Sequence, residues 1–517
     1  MNKSRTYNGI RNVIVSLTGT LFSILLQFVG RTFFIKLLSA EYLGLSGLFA
    51  DILNVLALSE LGVGSAMVFA LYKPVAEGDT EKIKSLMQLY KRMYFVIGLT
   101  IFIVGASATP FLQYLIKDMP DIPWIHIYYL MYVFNTGISY FFVYKKSLII
   151  CYQEEYIATI VTMITSICNR FLQIVVLIVT KSFLCYLLVQ ILFTFLENFV
   201  DSVIANRKYP FLKSKQITKL SREDIADIKK NIKAMMAHKI GTVVVKSTDS
   251  MIISKLLGLN LLGLYSNYNL IIYNVTAILQ KMLWTLTASL GNLVTEGDLD
   301  KSKKVFHNIL FVTFWIYCFC SICIFCLINP FITIWLGQQY LLEIQAVAIF
   351  TICFFIEGIR QPALLMRDAT GVFYNDRYKP LAEALVNLVV SIPLTYKLGI
   401  AGVKLGTIIS YIFVALWVEG YVLYKHYFKQ SVVKYLLRLL GYFCALMGLA
   451  GTTYFLCNLV DLQGIVNLVV RAVICIVYPN LIIVITCRQR PEFEYFVALL
   501  RRFIDKRGQN SQSLHTK

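Results

Sequence analysis

The sequence predicts an all-α polytopic membrane protein, and its hydropathy, its charge distribution and an internal repeat all point to that fold class. Of its 517 residues 58% are hydrophobic and 15% are charged, with a mean hydropathy of +0.67. Apolar stretches of about 20 residues, long enough to cross a bilayer as helices, follow one another along nearly the whole chain. The first stretch carries no small-residue cleavage site, so we expect a retained span and not a signal peptide.

About fourteen transmembrane helices are predicted. Several contain Gly or Pro, which neighbouring helices tolerate inside a membrane. Their approximate ranges are 11–38, 43–72, 93–116, 124–144, 156–180, 183–204, 236–257, 261–290, 305–328, 342–366, 380–396, 402–423, 435–456 and 465–487. An even number of spans places both termini on the same side of the membrane.

The distribution of basic residues supports this segmentation. With a cytoplasmic N-terminus, the inside segments carry 35 Lys and Arg residues, whereas the outside connections carry only Lys117, Lys181 and Lys397. Cytoplasmic loops hold such an excess, and one missed helix would scramble it. Both termini are therefore predicted to be cytoplasmic. The basic residues are spread over eight segments, so the net charge of +20 reflects topology and does not indicate a nucleic-acid partner.

A polar decapeptide occurs twice in this apolar chain. Residues 75–84 read VAEGDTEKIK and residues 294–303 read VTEGDLDKSK, an offset of 219 residues. The same offset aligns IKLLSAEYLGL at 35–45 with SKLLGLNLLGL at 254–264. Spans 1 and 2 therefore correspond to spans 7 and 8, and both halves have the same orientation. The repeated Glu, Asp and Lys side chains are expected to be solvated and to cap or orient the next helix.

The repeat predicts two parallel six-helix lobes, with two C-terminal helices appended. Parallel repeats are related by an axis along the membrane normal and place a substrate site between the halves. The predicted domains are an N-lobe at 1–204 (spans 1–6), a basic amphipathic cytoplasmic linker at 205–235, a C-lobe at 236–424 (spans 7–12), spans 13 and 14 at 425–487, and a basic cytoplasmic tail at 488–517.

The linker is predicted to contain a helix on the inner membrane surface. Ser221 followed by Asp224 is typical of a helix start. Ile225, Ile228 and Ile232 then keep an apolar face between basic residues, which favours a helix that lies in the membrane interface. Its expected role is to tether and orient the two halves.

Charged side chains inside the predicted spans mark candidate binding positions, because a charge at mid-bilayer costs about 2.5 to 3.5 kcal/mol on insertion scales. Arg31 and Lys246 are the strongest candidates, since Gln27 lies one turn before Arg31 and Lys246 shares a polar stripe with Asp249. The excess of Arg and Lys favours an anionic solute with phosphate or pyrophosphate groups. The predicted cavity residues are Arg31, Lys246, Gln27, Asp249, Arg170, Glu60, Lys281 and Arg360.

Some of these charges have a simpler explanation. Glu357 and Arg360 lie three residues apart on one helix and would neutralise each other. Arg471, near the outer end of span 14, would reach the lipid headgroups. Glu197 and Lys281 lie near the inner surface. Both explanations stay open at this point for each of these residues.

Cysteine and histidine usage predicts no metal site. Cys320, Cys323 and Cys326 share one predicted helix, whereas an iron–sulfur cluster needs a loop that can wrap it. The five histidines never pair at ligand spacing, and the cysteines are expected to be small apolar packing residues. No GxxxxGK[ST] sequence is present, so no ATPase site is predicted.

Three stretches resemble a known family. They are RTFFIKLLSAEYLGLSGLFADILNVLALSELGVGSA at 31–66, EGDTEKIKSL at 77–86 and KSTDSMIISKLLGLNLLGLYSNYNLI at 246–271. They resemble the polysaccharide flippases of the multidrug/oligosaccharidyl-lipid/polysaccharide exporter superfamily. The resemblance covers at least the first twelve spans, and it implies two lobes around a central cavity with spans 13 and 14 appended.

The function that the resemblance implies is transport and not enzymatic catalysis. Such a flippase moves undecaprenyl-pyrophosphate-linked oligosaccharide repeat units across the bacterial cytoplasmic membrane, for capsule, exopolysaccharide or other surface polysaccharide assembly. It works by alternating access of a cationic central cavity, and Arg31 matches a first-helix arginine of that cavity. Glu60 and Asp249 match recurrent positions of unassigned role, through which H⁺ or Na⁺ coupling is hypothesised; no cofactor is expected.

The expected partners are membrane lipids, the polyprenyl-pyrophosphate-linked glycan, and a polysaccharide polymerase and glycosyltransferases. The main alternative is a cation-coupled multidrug antiporter of the same superfamily, which would show a dominant buried carboxylate. A membrane-embedded polymerase or glycosyltransferase would need a large extramembrane loop or clustered acidic groups, and the outside connections here are short. A scaffold or lipid scramblase would require no closed polar cavity.

Overall fold

The computed structural model describes residues 5–60, 62–214, 218, 220–460 and 462–498, and it is all-α, with no β-strand in these ranges. The α-helices are α1 Arg5–Leu37, α2 Ala40–Leu56, α3 Val63–Glu77, α4 Thr80–Ser107, α5 Leu112–Leu115, α6 Ile125–Cys151, α7 Glu155–Thr180, α8 Phe183–Lys208, α9 Arg222–Leu256, α10 Leu259–Trp284, α11 Thr287–Thr295, α12 Leu299–Trp335, α13 Ile344–Ile359, α14 Gln361–Thr370, α15 Lys379–Leu398, α16 Ile400–Ser410, α17 Trp417–Leu423, α18 Val433–Asn458 and α19 Gly464–Cys487. Two π-helical segments, Tyr411–Leu416 and Tyr424–Phe428, flank α17. The predicted all-α fold class is confirmed.

The protein is a multi-pass membrane protein. Among the described residues, ten helical segments are long and apolar enough to cross a membrane by length and composition. Each of the fourteen predicted ranges overlaps one of the helices or a run of two. The number of spans and the cytoplasmic location of the termini stay predictions.

Two predicted spans are broken at a charged residue. The predicted span 43–72 divides into α2 and α3, joined by a 3₁₀ turn that ends at Glu60 and by Gly62 with a φ of 81°. The predicted span 342–366 divides into α13 and α14 at Arg360, and Pro362 in the first turn of α14 cannot donate a backbone hydrogen bond. Each break places a charged side chain at the end of a helix.

Helix α9 differs from the expected separate linker helix and span. Its predicted start is confirmed, because the Ser221 hydroxyl accepts a hydrogen bond from the backbone N–H of Asp224 at 3.0 Å. The helix then continues for 35 residues through the predicted boundary near residue 236. No proline interrupts residues 222–256, so nothing in the sequence stops the helix at the expected surface segment.

The two copies of the EGD motif perform the same local task. Gly78 and Gly297 both take the left-handed conformation, with φ of 73° and 76°. Asp79 then caps α4, and Asp298 caps α12, each accepting a hydrogen bond at 2.9 Å from the backbone N–H three residues on. The predicted helix-capping role of these loops is confirmed, and the repeat extends from sequence to backbone geometry.

The other repeated segment forms a reciprocal contact between α2 and α10. A methyl group on Gly44 would lie 2.1 Å from the carbonyl oxygen of Leu259, and one on Gly263 would lie 2.1 Å from that of Ala40. Gly44 is equivalent to Gly263 in the repeat, and Ala40 is equivalent to Leu259. Only residues without a side chain permit this close approach.

Contacts between Cα atoms divide the chain into a first unit, Met1–Ser266, and a second unit, Asn267–Lys517. In the first unit α1 packs against α7, α6 against α4 and α8, and α9 against α2. In the second unit α15 packs against α16, and α12 packs against α13, α18 and α19. The predicted lobes derive from the sequence repeat, so their boundaries stay a prediction.

Candidate functional site

Two arginines meet in the first unit, on the packed helices α1 and α7. Arg31 belongs to α1 and Arg170 to α7, and the positive charge of Arg170 acts on the Arg31 guanidinium. The Arg170 side chain lies against α1 next to Arg31, because a methyl group built on Gly30 would be in ordinary van der Waals contact with Cδ of Arg170, at 3.5 Å. Two of the predicted cavity residues are therefore neighbours in space.

Hydroxyl and amide groups hold both guanidinium groups in place. Nη1 of Arg31 donates to Oγ of Ser266 at 3.0 Å. Nη1 of Arg170 donates to Oε1 of Gln173 and to the hydroxyl of Tyr186, both at 3.2 Å. We call Arg31, Arg170, Gln173, Tyr186 and Ser266 the arginine cluster.

Aromatic rings border the arginine cluster. The ring of Tyr186 packs edge-to-face on Phe34 with a centroid distance of 5.2 Å, and it stacks on Phe183 at 6.0 Å. The hydroxyl of Tyr132 interacts electrostatically with both arginines. The cluster therefore places two guanidinium groups, each with five N–H donors, beside apolar walls. Such a site suits a bidentate anion such as a phosphate or pyrophosphate.

Glu60 forms a second polar site in the first unit, at the break between α2 and α3. Its carboxylate accepts hydrogen bonds from the hydroxyls of Tyr94 at 2.8 Å and Tyr140 at 3.3 Å. The ring of Tyr94 packs edge-to-face against Tyr90 at 4.6 Å. A partly buried carboxylate held by two tyrosine hydroxyls suits a proton, Na⁺ or an organic cation.

Asp249 and Lys246 lie one turn apart on α9. Asp249 is buried, and its carboxylate accepts a hydrogen bond from Tyr265 at 3.4 Å. The side chain of Lys246 lies outside the described residues, so its predicted place in the cavity stays a prediction. Gln27 lies half-buried on α1, one turn before Arg31.

Arg360 lies in a buried ion network of the second unit. Nε and Nη2 of Arg360 donate to the Glu419 carboxylate at 3.0 and 2.6 Å, and Lys379 reaches Glu419 at 2.5 Å. Both cations also lie 3.6 Å from Glu383. We call Arg360, Lys379, Glu383 and Glu419 the ion network; its two positive and two negative charges balance.

The ion network changes the interpretation of Arg360. Its carboxylate partners are Glu419 and Glu383, not Glu357, the partner that helical spacing indicates. The Arg360 guanidinium also lies 4.3 Å from the centre of the Tyr411 ring. Its charge is thus engaged within the second unit, which favours a structural role over substrate binding. Lys281 lies exposed in the last turn of α10.

The structure therefore groups the predicted site residues unevenly. It brings Arg31 and Arg170 together, gives Glu60 and Asp249 separate tyrosine partners, and places Arg360 in a balanced network. Glu197, whose sequence position was ambiguous, pairs with Lys146 at 3.2 Å and accepts a hydrogen bond from Thr162 at 2.7 Å.

Several partners carry no strong sequence signal. Gln173 follows Arg170 by three residues on one helix face and could have been inferred from that spacing. Sequence alone could not identify Tyr94, Tyr140 and Tyr186, because the chain has 32 tyrosines and nothing marks those whose hydroxyls bond a charged side chain. Glu419 could not be identified either, since it reaches Arg360 from 59 residues away.

Comparison with known proteins identifies relatives by fold only. No protein-family model matches this sequence, and no curated protein is similar to it in sequence. Among solved structures, the lipid II flippase MurJ in its inward closed conformation matches with a TM-score of 0.66 and 14% identity, covering 92% of this chain and 99% of MurJ. An inward-facing multidrug resistance MATE family transporter of the MOP superfamily matches with a TM-score of 0.60 and 16% identity, covering 79% and 98%.

A third match is a MOP superfamily transporter from Pyrococcus furiosus, described as having a binding pocket of reverse polarity. Its TM-score is 0.53 at 15% identity, and it covers 83% of this chain and 98% of its own. At these identities the likeness establishes the fold, which is that of the MATE and MurJ structures.

Proposed function

We propose that this chain is a membrane transporter and not an enzyme, and that it flips undecaprenyl-pyrophosphate-linked oligosaccharide units across the bacterial cytoplasmic membrane by alternating access. The observation that carries the proposal is the arginine cluster. Two guanidinium groups lie close together on α1 and α7, and a pyrophosphate offers two adjacent anionic groups that can accept from their N–H donors.

The structural likeness agrees with both a lipid flippase and a drug transporter. The lipid II flippase covers 92% of this chain, whereas the MATE transporter and the Pyrococcus transporter cover 79% and 83%. A two-helix segment such as α18 and α19 would account for a difference of this size. In the lipid-linked substrate the pyrophosphate and sugars are polar and the polyprenyl tail is apolar, so the tail would stay in the lipid phase during transport.

Coupling and partners extend this proposal. Glu60, held by two tyrosines at a helix break, is a suitable group for H⁺ or Na⁺ coupling, and buried Asp249 is the other. The product of flipping is a lipid-linked glycan in the outer leaflet. A polymerase would consume that product, and glycosyltransferases on the inner face would supply the substrate, for capsule or exopolysaccharide.

The proposal is tested by transport of a labelled substrate in proteoliposomes. The purified protein is reconstituted with a polyprenyl-pyrophosphate oligosaccharide that carries a fluorophore on its sugar, and a membrane-impermeant reductant bleaches the label that reaches the outer leaflet. We expect protein-dependent bleaching of the protected half. Arg31→Gln and Arg170→Gln should slow it by about tenfold or more, since a hydrogen bond to a charged group contributes roughly 1.5–3 kcal/mol.

The control variant is Arg222→Gln, which removes one positive charge from the exposed first turn of α9 in the same unit. It should transport at the unmodified rate. Wild-type transport by folded Arg31→Gln and Arg170→Gln variants would refute the role of the arginine cluster. A lack of protein-dependent movement for any lipid-linked sugar would refute the flippase itself.

A cation-coupled multidrug antiporter is the second candidate function, and the Glu60 site favours it. A partly buried carboxylate bound by the hydroxyls of Tyr94 and Tyr140 suits an organic cation. On this alternative, proteoliposomes would expel a cationic dye in exchange for H⁺ or Na⁺ that enters down an imposed gradient, and Glu60→Gln would abolish the efflux. Dye efflux without movement of lipid-linked sugar would decide for the antiporter.

A further inference from the structure

Three buried cysteines from three helices meet at one point in the second unit. The Sγ atoms of Cys326 on α12, Cys457 on α18 and Cys475 on α19 all lie within 4.8 Å of one another. Their side chains are at most 1% exposed. Along the sequence they are far apart, which is why spacing predicts no metal site for them.

A fourth thiol adjoins this group. Cys323 lies one turn before Cys326 on α12 and is half-buried. The Sγ atoms of Cys326 and Cys457 both lie within 4.8 Å of that of Cys475. We call Cys323, Cys326, Cys457 and Cys475 the thiol cluster.

We propose that the thiol cluster is a structural zinc site. Four cysteines and no other ligand type are the donor set of closed tetrahedral zinc sites, in which Zn–S bonds of about 2.3 Å set the sulfur atoms roughly 3.8 Å apart. The Sγ atoms of Cys326, Cys457 and Cys475, within 4.8 Å of one another, need to contract by only about 1 Å to reach that arrangement, and a change of the Cys323 rotamer would supply the fourth sulfur. Two ligands three residues apart on one helix face the same side, as such a site requires.

The surroundings of the cluster suit the charge of the occupied site. Four thiolates around Zn²⁺ carry a net negative charge, which is costly in an apolar interior unless a cation is near. Arg471 lies one turn before Cys475 on α19 and acts electrostatically on both Cys475 and Cys457. Its guanidinium is held there by hydrogen bonds to Asn467 at 2.8 Å and Asn458 at 3.3 Å.

Zinc binding would connect three helices of the second unit. Helices α18 and α19 pack against α12, and one metal ion would join all three. The site thereby fastens the C-terminal helix pair to the rest of the second unit, a role separate from the transport proposed above.

Metal analysis of the purified full-length protein tests the zinc site. The tag is removed, and the zinc content per chain is measured by inductively coupled plasma mass spectrometry after extensive dialysis. We expect about one zinc per chain in the unmodified protein and none in Cys475→Ser. Replacement of the zinc by Co²⁺ should give the visible absorption of tetrahedral cobalt thiolate.

Cys444→Ser and Cys168→Ser are the matched controls, because both cysteines are exposed and lie on helices α18 and α7. Both variants should keep the zinc. Zinc loss in a control, no zinc in the unmodified protein, or a disulfide among the four cysteines on mass spectrometry under non-reducing conditions would each overturn the proposal.

A chelator experiment covers the case in which Cys475→Ser fails to fold. A membrane-permeant zinc chelator should lower the thermal unfolding temperature of the unmodified protein, and added Zn²⁺ should restore it. An unchanged unfolding temperature after complete metal removal would refute a structural role, whatever the behaviour of the variant.

Discussion

The arginine cluster of the first unit and the ion network of the second use the same residue type with opposite partners. Arg170 donates to an amide and a phenol, both neutral, whereas Arg360 donates twice to the carboxylate of Glu419. In the function proposed above, the first arrangement binds an anionic ligand, whereas the charges of the second balance one another. Changes in the two groups are therefore expected to affect different properties of the protein.

The largest expected effect is the loss of stability when a carboxylate of the ion network is replaced. Glu419→Gln leaves Arg360 and Lys379 without their shortest carboxylate contacts, and breaking a buried ion pair costs about 3–5 kcal/mol. We expect a marked fall in the thermal unfolding temperature in detergent. Glu383→Gln should cost less, because Glu383 lies 3.6 Å from both cations. The exposed Glu343→Gln is the control, and an unchanged unfolding temperature for Glu419→Gln would contradict the structural role.

The second prediction concerns Arg170, whose replacement should affect transport more than stability. Arg170→Gln should change the unfolding temperature little, because its partners are neutral and remain satisfiable by a glutamine or by water. The same change should slow flipping of the labelled lipid by about tenfold or more, through loss of roughly 1.5–3 kcal/mol of charged hydrogen bonding. If stability falls as far as in Glu419→Gln, the two groups are alike and the comparison fails.

Glu60 lies between the two cases, as a carboxylate whose described partners are tyrosine hydroxyls. Glu60→Gln keeps the shape and one acceptor, so we expect a stability cost of only about 1 kcal/mol. If Glu60 couples an ion, stimulation of transport by an imposed H⁺ or Na⁺ gradient should disappear while the rate without a gradient is retained. Tyr140→Phe is the control, since it removes the weaker hydrogen bond but leaves the carboxylate. Unaltered gradient stimulation in Glu60→Gln would exclude this residue from coupling.

The smallest effect belongs to an ion pair near water. Lys82 and Ser221 hydrogen-bond Asp224 and hold the pKa of its carboxyl below the ordinary value. Because the folded-state pKa is depressed, the stabilisation is present above the ordinary pKa of Asp and is lost as the pH falls through the folded-state pKa. Asp224→Asn should cost less than about 1 kcal/mol at neutral pH, since the pair is solvated.

Thermal unfolding at pH 7 and at pH 4 measures this pair. The difference between the unmodified protein and Asp224→Asn should shrink at the lower pH. Asp227→Asn, exposed on the same helix, should show no difference at either pH. A cost for Asp224→Asn as large as that for Glu419→Gln would mean that burial does not distinguish the two pairs.

The sequence predicted the architecture better than the site. Hydropathy and the distribution of basic residues suffice to predict an all-α membrane fold, because both depend on local composition. The repeat adds that the chain has two related halves. The cap at Ser221 and the EGD loops were also predictable, since a cap is made by residues three apart. The continuation of α9 could not be predicted, because no residue marks a helix end and the helix runs from the polar segment into the apolar one without a break.

The partners of the charges were beyond the sequence for a different reason. Glu419 meets Arg360, and Ser266 meets Arg31, across 59 and 235 residues. Arg360 lies at the break between α13 and α14, and the hydrophobic pattern alone does not mark that break. A short-range rule pairs Arg360 with Glu357, and the fold supplies a nearer carboxylate.

The reciprocal contact of Gly44 and Gly263 has a consequence for the origin of the chain. An interface at which each element meets its own equivalent is the mark of a twofold homodimer. A half-length ancestor that dimerised at this crossing would leave such a contact inside one polypeptide after gene duplication and fusion. Inherited symmetry then implies that Gly44→Ala and Gly263→Ala lower the unfolding temperature equally, while Gly47→Ala, which faces open space on α2, does not. Unequal losses would mean that the two copies have since diverged at this crossing.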